Sequence, residues 1–246
     1  MAYNENSERM EPMENQDMEV DHDKKRSIAI PGEIIKTGKE YLPGDGTRRE
    51  GDSIVSSRFG LQDEFGRFIR VIPLSGVYIP RKGNLVIGKV MDITFNGWII
   101  DIGGPYSSFL MINEYPKYIE SDDLDSYIAI GDLVLCKVFR TKRKGVDLTM
   151  KSRGLGKIDD GMIIQINSNK VPRVIGKEGS MINLIKDSTK CDITVGQNGV
   201  IWIKGNSVED ELFAKKAILF VVERSYIQGL TDAVKKYLDE EKGAKK

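Results

Sequence analysis

The segment Val174-Ile175-Gly176-Lys177-Glu178-Gly179-Ser180-Met181-Ile182 sets two glycines three apart around two charged residues. A glycine lets a backbone approach a sugar-phosphate chain with no Cβ in the way. If Ser180 opens a helix, the free N–H groups and partial positive charge of its first turn point toward that chain. Gly176, Gly179 and Ser180 are therefore candidates for a backbone phosphate clamp, with Arg173 and Lys177 facing phosphates. Glu178 puts a carboxylate into the clamp and should weaken it. The same residues with no ligand would make only a tight helix-turn-helix.

Two further segments carry related chemistry. Phe95-Asn96-Gly97-Trp98, followed by Tyr106 and Phe109, supplies aromatic rings. On an open surface such rings stack on unpaired bases for about 1–3 kcal/mol each, largely without sequence preference. Phe109 is expected to fill a core instead. For Phe95 and Trp98 the two readings stay open. Alternation puts Trp98, Ile100 and Ile102 on one face and Ile99 and Asp101 on the other, so both faces hold apolar residues. Arg140, Lys142, Arg143 and Lys144 form a basic hairpin, with Lys151 and Arg153 after it and Asp147 as the one acid between Arg140 and Arg153. Such a strip suits phosphates and predicts salt-dependent binding, although a solvated loop would have the same composition.

Most other chemistries lack their residues. The chain has one histidine, His22, and two cysteines, Cys136 and Cys191, each inside an apolar run. Reduced, buried thiols in a cytoplasmic protein are expected, with neither a zinc site nor a histidine-based catalyst. Asp122-Asp123 and Asp159-Asp160 read as solvated connectors rather than a two-metal site. Gly103-Gly104-Pro105 is followed by no Gly-Lys-Ser/Thr and is no P-loop. No metal, cofactor or enzymatic activity is expected. No apolar run approaches about 18 residues, so no membrane span is expected either. The start of the chain has no secretory pattern. Lys+Arg and Asp+Glu balance at 37 each, but the first 23 residues hold eight acids and one arginine, so the zero average hides local patches.

These segments must be positioned by a multidomain β plus α+β fold. Residues 1–27 read as a disordered acidic tail. Residues 28–82 show short strands and the turn cluster Pro43-Gly44-Asp45-Gly46, as in a small N-terminal all-β barrel or sandwich. Residues 83–153 give five strands, 85–93, 98–102, 108–112, 133–139 and 146–150, with a long excursion between the third and fourth. That is the pattern of a five-stranded OB-type barrel. Residues 154–246 run β-α-α-β-β-α and then a last helix, with Asn198-Gly199 as a type I′ turn signal. A long helix is expected over 208–226, its apolar side supplied by Leu212, Ala217, Leu219, Phe220 and Val221. That element order around Gly176–Gly179 resembles a KH domain, whose G-x-x-G loop grips about four nucleotides.

Residues 83–151 resemble the ribosomal S-one-type OB domain through Val86-Ile87-Gly88-Lys89-Val90, Gly97-Trp98-Ile99-Ile100-Asp101-Ile102, Gly131-Asp132-Leu133-Val134 and Asp147-Leu148-Thr149-Met150-Lys151. The resemblance implies an RNA-binding aromatic pair at Phe95 and Trp98. Met111 stands where that family often has histidine. Over about residues 27–241 the chain is similar to the RNA-binding cap subunits of the archaeal exosome. Ile30-Pro31-Gly32-Glu33, Pro73-Leu74-Ser75-Gly76-Val77-Tyr78-Ile79-Pro80 and Gly196-Gln197-Asn198-Gly199-Val200-Ile201-Trp202 carry that likeness. It implies a non-catalytic subunit, three per hexameric ring of RNase PH-type subunits. The N-terminal domain and barrel would dock on the ring, and the protein would lead the 3′ end of single-stranded RNA to phosphorolysis there. The same parts would also suit a free-standing RNA-binding factor of ribosomes or translation. Scattered carboxylates are all that favours a hydrolytic nuclease.

Overall fold

A computed structural model describes residues 27–119, 123–225 and 229–244. The expected acidic tail up to residue 26, with His22, lies outside them, as do Asp122 and Tyr226. Seven short strands come first: β1 (Ile28–Ala29), β2 (Ile34–Thr37), β3 (Leu42–Pro43), β4 (Thr47–Glu50), β5 (Ser53–Ser56), β6 (Gly60–Phe65) and β7 (Phe68–Pro73). They form two sheets, β1-β6-β7-β3 and β2-β5-β4. The inward positions Ala29, Ile54, Val55, Ile69 and Val71 are buried. Of the turn cluster expected over 43–46, Pro43 ends β3 and residues 44–46 lead directly into β4, where the Thr47 hydroxyl reaches the other sheet by donating to the Ile69 carbonyl at 2.9 Å.

The barrel follows. Its strands are β8 (Leu85–Thr94), β9 (Gly97–Asp101), β10 (Ser108–Met111), β11 (Leu133–Lys142) and β12 (Gly145–Thr149), with the short helix α1 (Leu124–Tyr127) in the excursion after β10. Hydrogen bonding runs β12-β10-β9-β8-β11, and β11 pairs back with β12 to close the ring. Strand β13 (Gly156–Ile158), unseen in the sequence pattern, adds to β11. Alternation points Val86, Val90, Trp98, Ile100, Leu110, Val134, Cys136, Val138, Val146 and Leu148 into one core. Burial pushes the Cys136 thiol well above its usual range.

The last part has strand β14 (Met162–Gln165), helices α2 (Val171–Ile175) and α3 (Ser180–Thr189), strands β15 (Asp192–Val195) and β16 (Val200–Lys204), and helices α4 (Val208–Glu223) and α5 (Leu230–Ala244). The sheet order is β14-β16-β15, all antiparallel. Ser207 caps α4 by accepting the Asp210 N–H at 3.2 Å, and three acids fill the first turn, where the helix dipole favours them. The buried stripe of α4 is Phe213, Ala214, Ala217, Ile218 and Val221. Leu212, expected on that side, is exposed instead. The β15–β16 turn also departs from expectation. Among its residues Gly199 has a positive φ of 88° and Asn198 does not, so a type I′ turn is excluded. The Gly199 N–H instead bonds the Gly196 carbonyl at 2.9 Å.

A tertiary contact explains that turn. Strand β9 ends opposite Lys89, which leaves the start of β8 without a partner on that side. Gln197 and Asn198 fill the place. Gln197 accepts the Leu85 N–H through Oε1 at 2.5 Å and donates its own N–H to the Leu85 carbonyl at 2.7 Å. Asn198 accepts the Ile87 N–H at 3.3 Å and donates to the carbonyls of Ile87 at 2.7 Å and Ile102 at 3.1 Å. A Cβ on Gly196 would lie 2.4 Å from the Asn198 side-chain oxygen and 3.2 Å from Ile87 N, so this approach requires glycine.

Candidate nucleic-acid interface

The Gly176–Gly179 turn joins α2 to α3. Gly176 caps α2 by donating its N–H to the Pro172 carbonyl at 2.9 Å. It holds φ +75°, and a Cβ there would lie 2.7 Å from Met181 N. Gly179 holds φ +81°, and a Cβ there would meet only ordinary contacts, the nearest being Asn183 Nδ2 at 3.5 Å. Between them Glu178 sits at φ 54° and ψ 25°, a left-handed conformation uncommon outside glycine. No side chain caps the N-terminus of α3, and the Ser180 N–H already donates to the Lys177 carbonyl. Arg173, Lys177, Glu178 and Ser180 are all exposed around it. The two cations and one carboxylate leave this turn only weakly positive.

The barrel residues divide by position along the strands. At one end the β8–β9 turn carries Phe95, which is 86% exposed. The Ile112 N–H donates to the Asn96 carbonyl at 3.0 Å, which brings this turn to the end of β10 and its exposed Met111. Lys151 lies at the same end, 3.8 Å from Glu114. At the other end the Val146 N–H donates to the Ser107 carbonyl at 3.1 Å, so exposed Tyr106 lies beside the hairpin whose tip is Arg143 and Lys144. Both tip residues are exposed.

Trp98 and Phe109 exchange the places expected for them. Trp98 is fully buried, packs 5.9 Å from the Tyr115 ring, and donates its indole N–H to the Ile128 carbonyl at 3.0 Å. It offers no ring face to a base. Phe109, expected in the core, is half-buried on the outer face, in register with Ile99 on β9 and Asp147 on β12. Barrel closure decided between two apolar faces, and the larger indole went inside.

Arg140 and Lys142 are brought together by Asp147, which sequence reasoning left as an isolated acid. Its Oδ2 accepts Arg140 Nε at 3.1 Å and Nη2 at 3.0 Å, and its Oδ1 accepts Lys142 Nζ at 2.7 Å. Burial raises its pKa, but the hydrogen bonds and charges of Lys142 and Arg140 outweigh that and hold the carboxyl below the usual carboxylate range. The result is a fixed pair of half-exposed cations on the outer face. The clamp residues stand apart from this face, in the C-terminal part. Among the described residues no group of three or more His, Cys, Asp or Glu side chains is arranged to hold a metal ion. No described helix is long and apolar enough to cross a membrane.

Comparison with known proteins agrees with this architecture. The KH domain family model matches residues 161–209. An exosome complex component Rrp4 of Methanothermobacter thermautotrophicus is 43% identical over 216 residues, covering 87% of this chain and 68% of its own. The Rrp4 component of Pyrococcus furiosus is 44% identical over 219 residues, covering 87% of this chain and 83% of its own. A crystal structure named for an exosome complex RNA-binding protein superposes with a TM-score of 0.62 at 32% identity, covering 70% of this chain and all of that one.

Proposed function

The chain belongs to the Rrp4 family of exosome complex components, and from that premise we propose that it is a non-catalytic RNA-binding subunit of the exosome. It recruits unpaired RNA and leads the 3′ end toward a phosphorolytic ring of RNase PH-type subunits, three copies to a ring, in the cytoplasm. Residues 28–82 dock on the ring, residues 83–153 bind RNA together with part of that docking, and residues 154–246 add the clamp. No cofactor or metal takes part.

The observation that carries the reading is the outer face of the barrel. Exposed Phe95 and Tyr106 stand at its two ends, and the cations Arg140, Lys142, Arg143 and Lys144 line one side. Rings for bases beside cations for phosphates are what unpaired RNA requires. Docking of the N-terminal part is supported by an apolar patch. Leu42 and Phe65 both pair with Phe68 across β3, β6 and β7, and these three side chains are 42%, 53% and 50% exposed.

The test is a titration of the full chain with labelled single-stranded RNA at several salt concentrations, together with a gel of the same RNA incubated with the protein alone. Salt-sensitive binding with the RNA left intact is expected. Degradation by the isolated chain would contradict the non-catalytic reading. Absence of binding would contradict the RNA-binding one.

A further inference from the structure

Strand β11 carries a bulge. Val138 pairs with Leu148 of β12, but Arg140 rather than Phe139 takes the next position, opposite Asp147. A bulge inserts one unpaired residue and turns successive side chains toward the same side. Here it puts Phe139 and Arg140 together outside the barrel, with Phe139 49% exposed. Exposed Lys137 precedes them and Lys142 follows, so the outward side chains run lysine, phenylalanine, arginine, lysine. On the other side of the strand the Gly83 N–H donates to the Val138 carbonyl at 2.8 Å, which brings the exposed Lys82 to the same neighbourhood.

We infer that the bulge at Phe139–Arg140 is a binding site for one unpaired nucleotide, with its base on the Phe139 ring and its phosphate on Arg140 and Lys142. This rests on the RNA-binding reading above and adds a site that neither aromatic motif nor family resemblance assigns. Asp147 is the positioning residue. It is 7% exposed and accepts hydrogen bonds from both cations, which holds them on the outer face where Phe139 is also exposed. The site gives the barrel an exposed ring on this side although Trp98 is committed to the core. An apolar protein partner fits less well, because the ring is flanked by cations whose desolvation would oppose a dry contact.

The experiment measures binding of a short fluorescein-labelled single-stranded RNA to the full chain by anisotropy, at moderate salt, for wild type, Phe139→Ala, Phe139→Leu and Phe139→Trp. Phe139→Ala and Phe139→Leu are each expected to bind about tenfold more weakly, the loss of one stacked base. Phe139→Trp should bind at least as tightly as wild type, and its additional indole emission should be quenched by RNA. Because the side chain is half exposed, melting curves should stay within a few degrees of wild type. If one truncation fails to fold, the emission of Phe139→Trp still decides. If wild type binds RNA and all three variants match it with unquenched emission, the inference is overturned while the RNA-binding reading stands. If wild type binds no RNA, the broader reading fails first. Unchanged RNA affinity with lost binding to ring subunits would assign the residue to a protein contact and overturn the inference.

Discussion

The proposed clamp and the proposed barrel face would reach a phosphate chain by opposite means. The clamp is made of backbone, within one stretch of ten residues from Arg173 to Ile182, and Glu178 offsets one of its two cations, Arg173 and Lys177. The barrel face is made of side chains from β11, β12 and the turns and loops beside the strands, assembled by register, and its one central acid is occupied by two cations. A backbone site is easy to recognise and hard to tune. A side-chain site is hard to recognise, but each of its contacts can be altered separately. The larger share of RNA affinity should therefore lie on the barrel.

The comparison can be broken most forcefully at Trp98. If it is a core residue, Trp98→Ala should destabilise the chain by about 3–5 kcal/mol in a denaturant melt. Phe95→Ala should leave stability within about 0.5 kcal/mol and cost only RNA affinity. The opposite pattern would return Trp98 to the RNA surface. Asn198→Ala comes next. It strips partners from Ile87 and Ile102 between the barrel and the C-terminal part, at about 2–4 kcal/mol of stability. A melt that loses its cooperativity would show that this contact couples those two parts.

Smaller effects sharpen the contrast. Replacing both Arg143 and Lys144 with glutamate should lower RNA affinity by about tenfold and flatten the log–log salt slope by about 1.4, at about 0.7 per phosphate contact on a single strand. At the clamp, Glu178→Asn removes the opposing carboxylate with a residue that tolerates the left-handed conformation, and should raise affinity about two- to threefold in the same titration. A double replacement of Gly176→Asp with Gly179→Asp is a poor probe, since a Cβ at Gly176 collides with Met181 N. The smallest signal is that of Asp147. Its pKa is depressed in the fold, so the stability it contributes is present above the unfolded value of about 3.9 and is lost as pH falls through the folded value. An NMR titration should find its midpoint below that of an unperturbed aspartate.

Much of this was legible in the residues. The barrel strands, the β-α-α-β-β-α order and the Gly176–Gly179 turn between two helices followed from apolar spacing and from glycine. What failed depends on distant chain. Nothing near Trp98 or Phe109 says which apolar face turns inward, because closure of β12 onto β11 decides it. The Asn198-Gly199 pair was read as a local turn, while its geometry answers to Ile87, 111 residues earlier. The bulge at Phe139 is visible only once Arg140 is seen opposite Asp147, and Asp147 gave no sign of its two partners in a list of charges.

The most direct test sets the two regions against each other in one salt-resolved titration with single-stranded RNA. One arm is the full chain carrying Arg143→Glu, and the other is the full chain carrying Lys177→Glu, so that each loses one cation. The barrel variant should lose more affinity and more salt dependence than the clamp variant. A greater loss from Lys177→Glu, with the hairpin variant near wild type, would contradict the account and place RNA binding on the clamp.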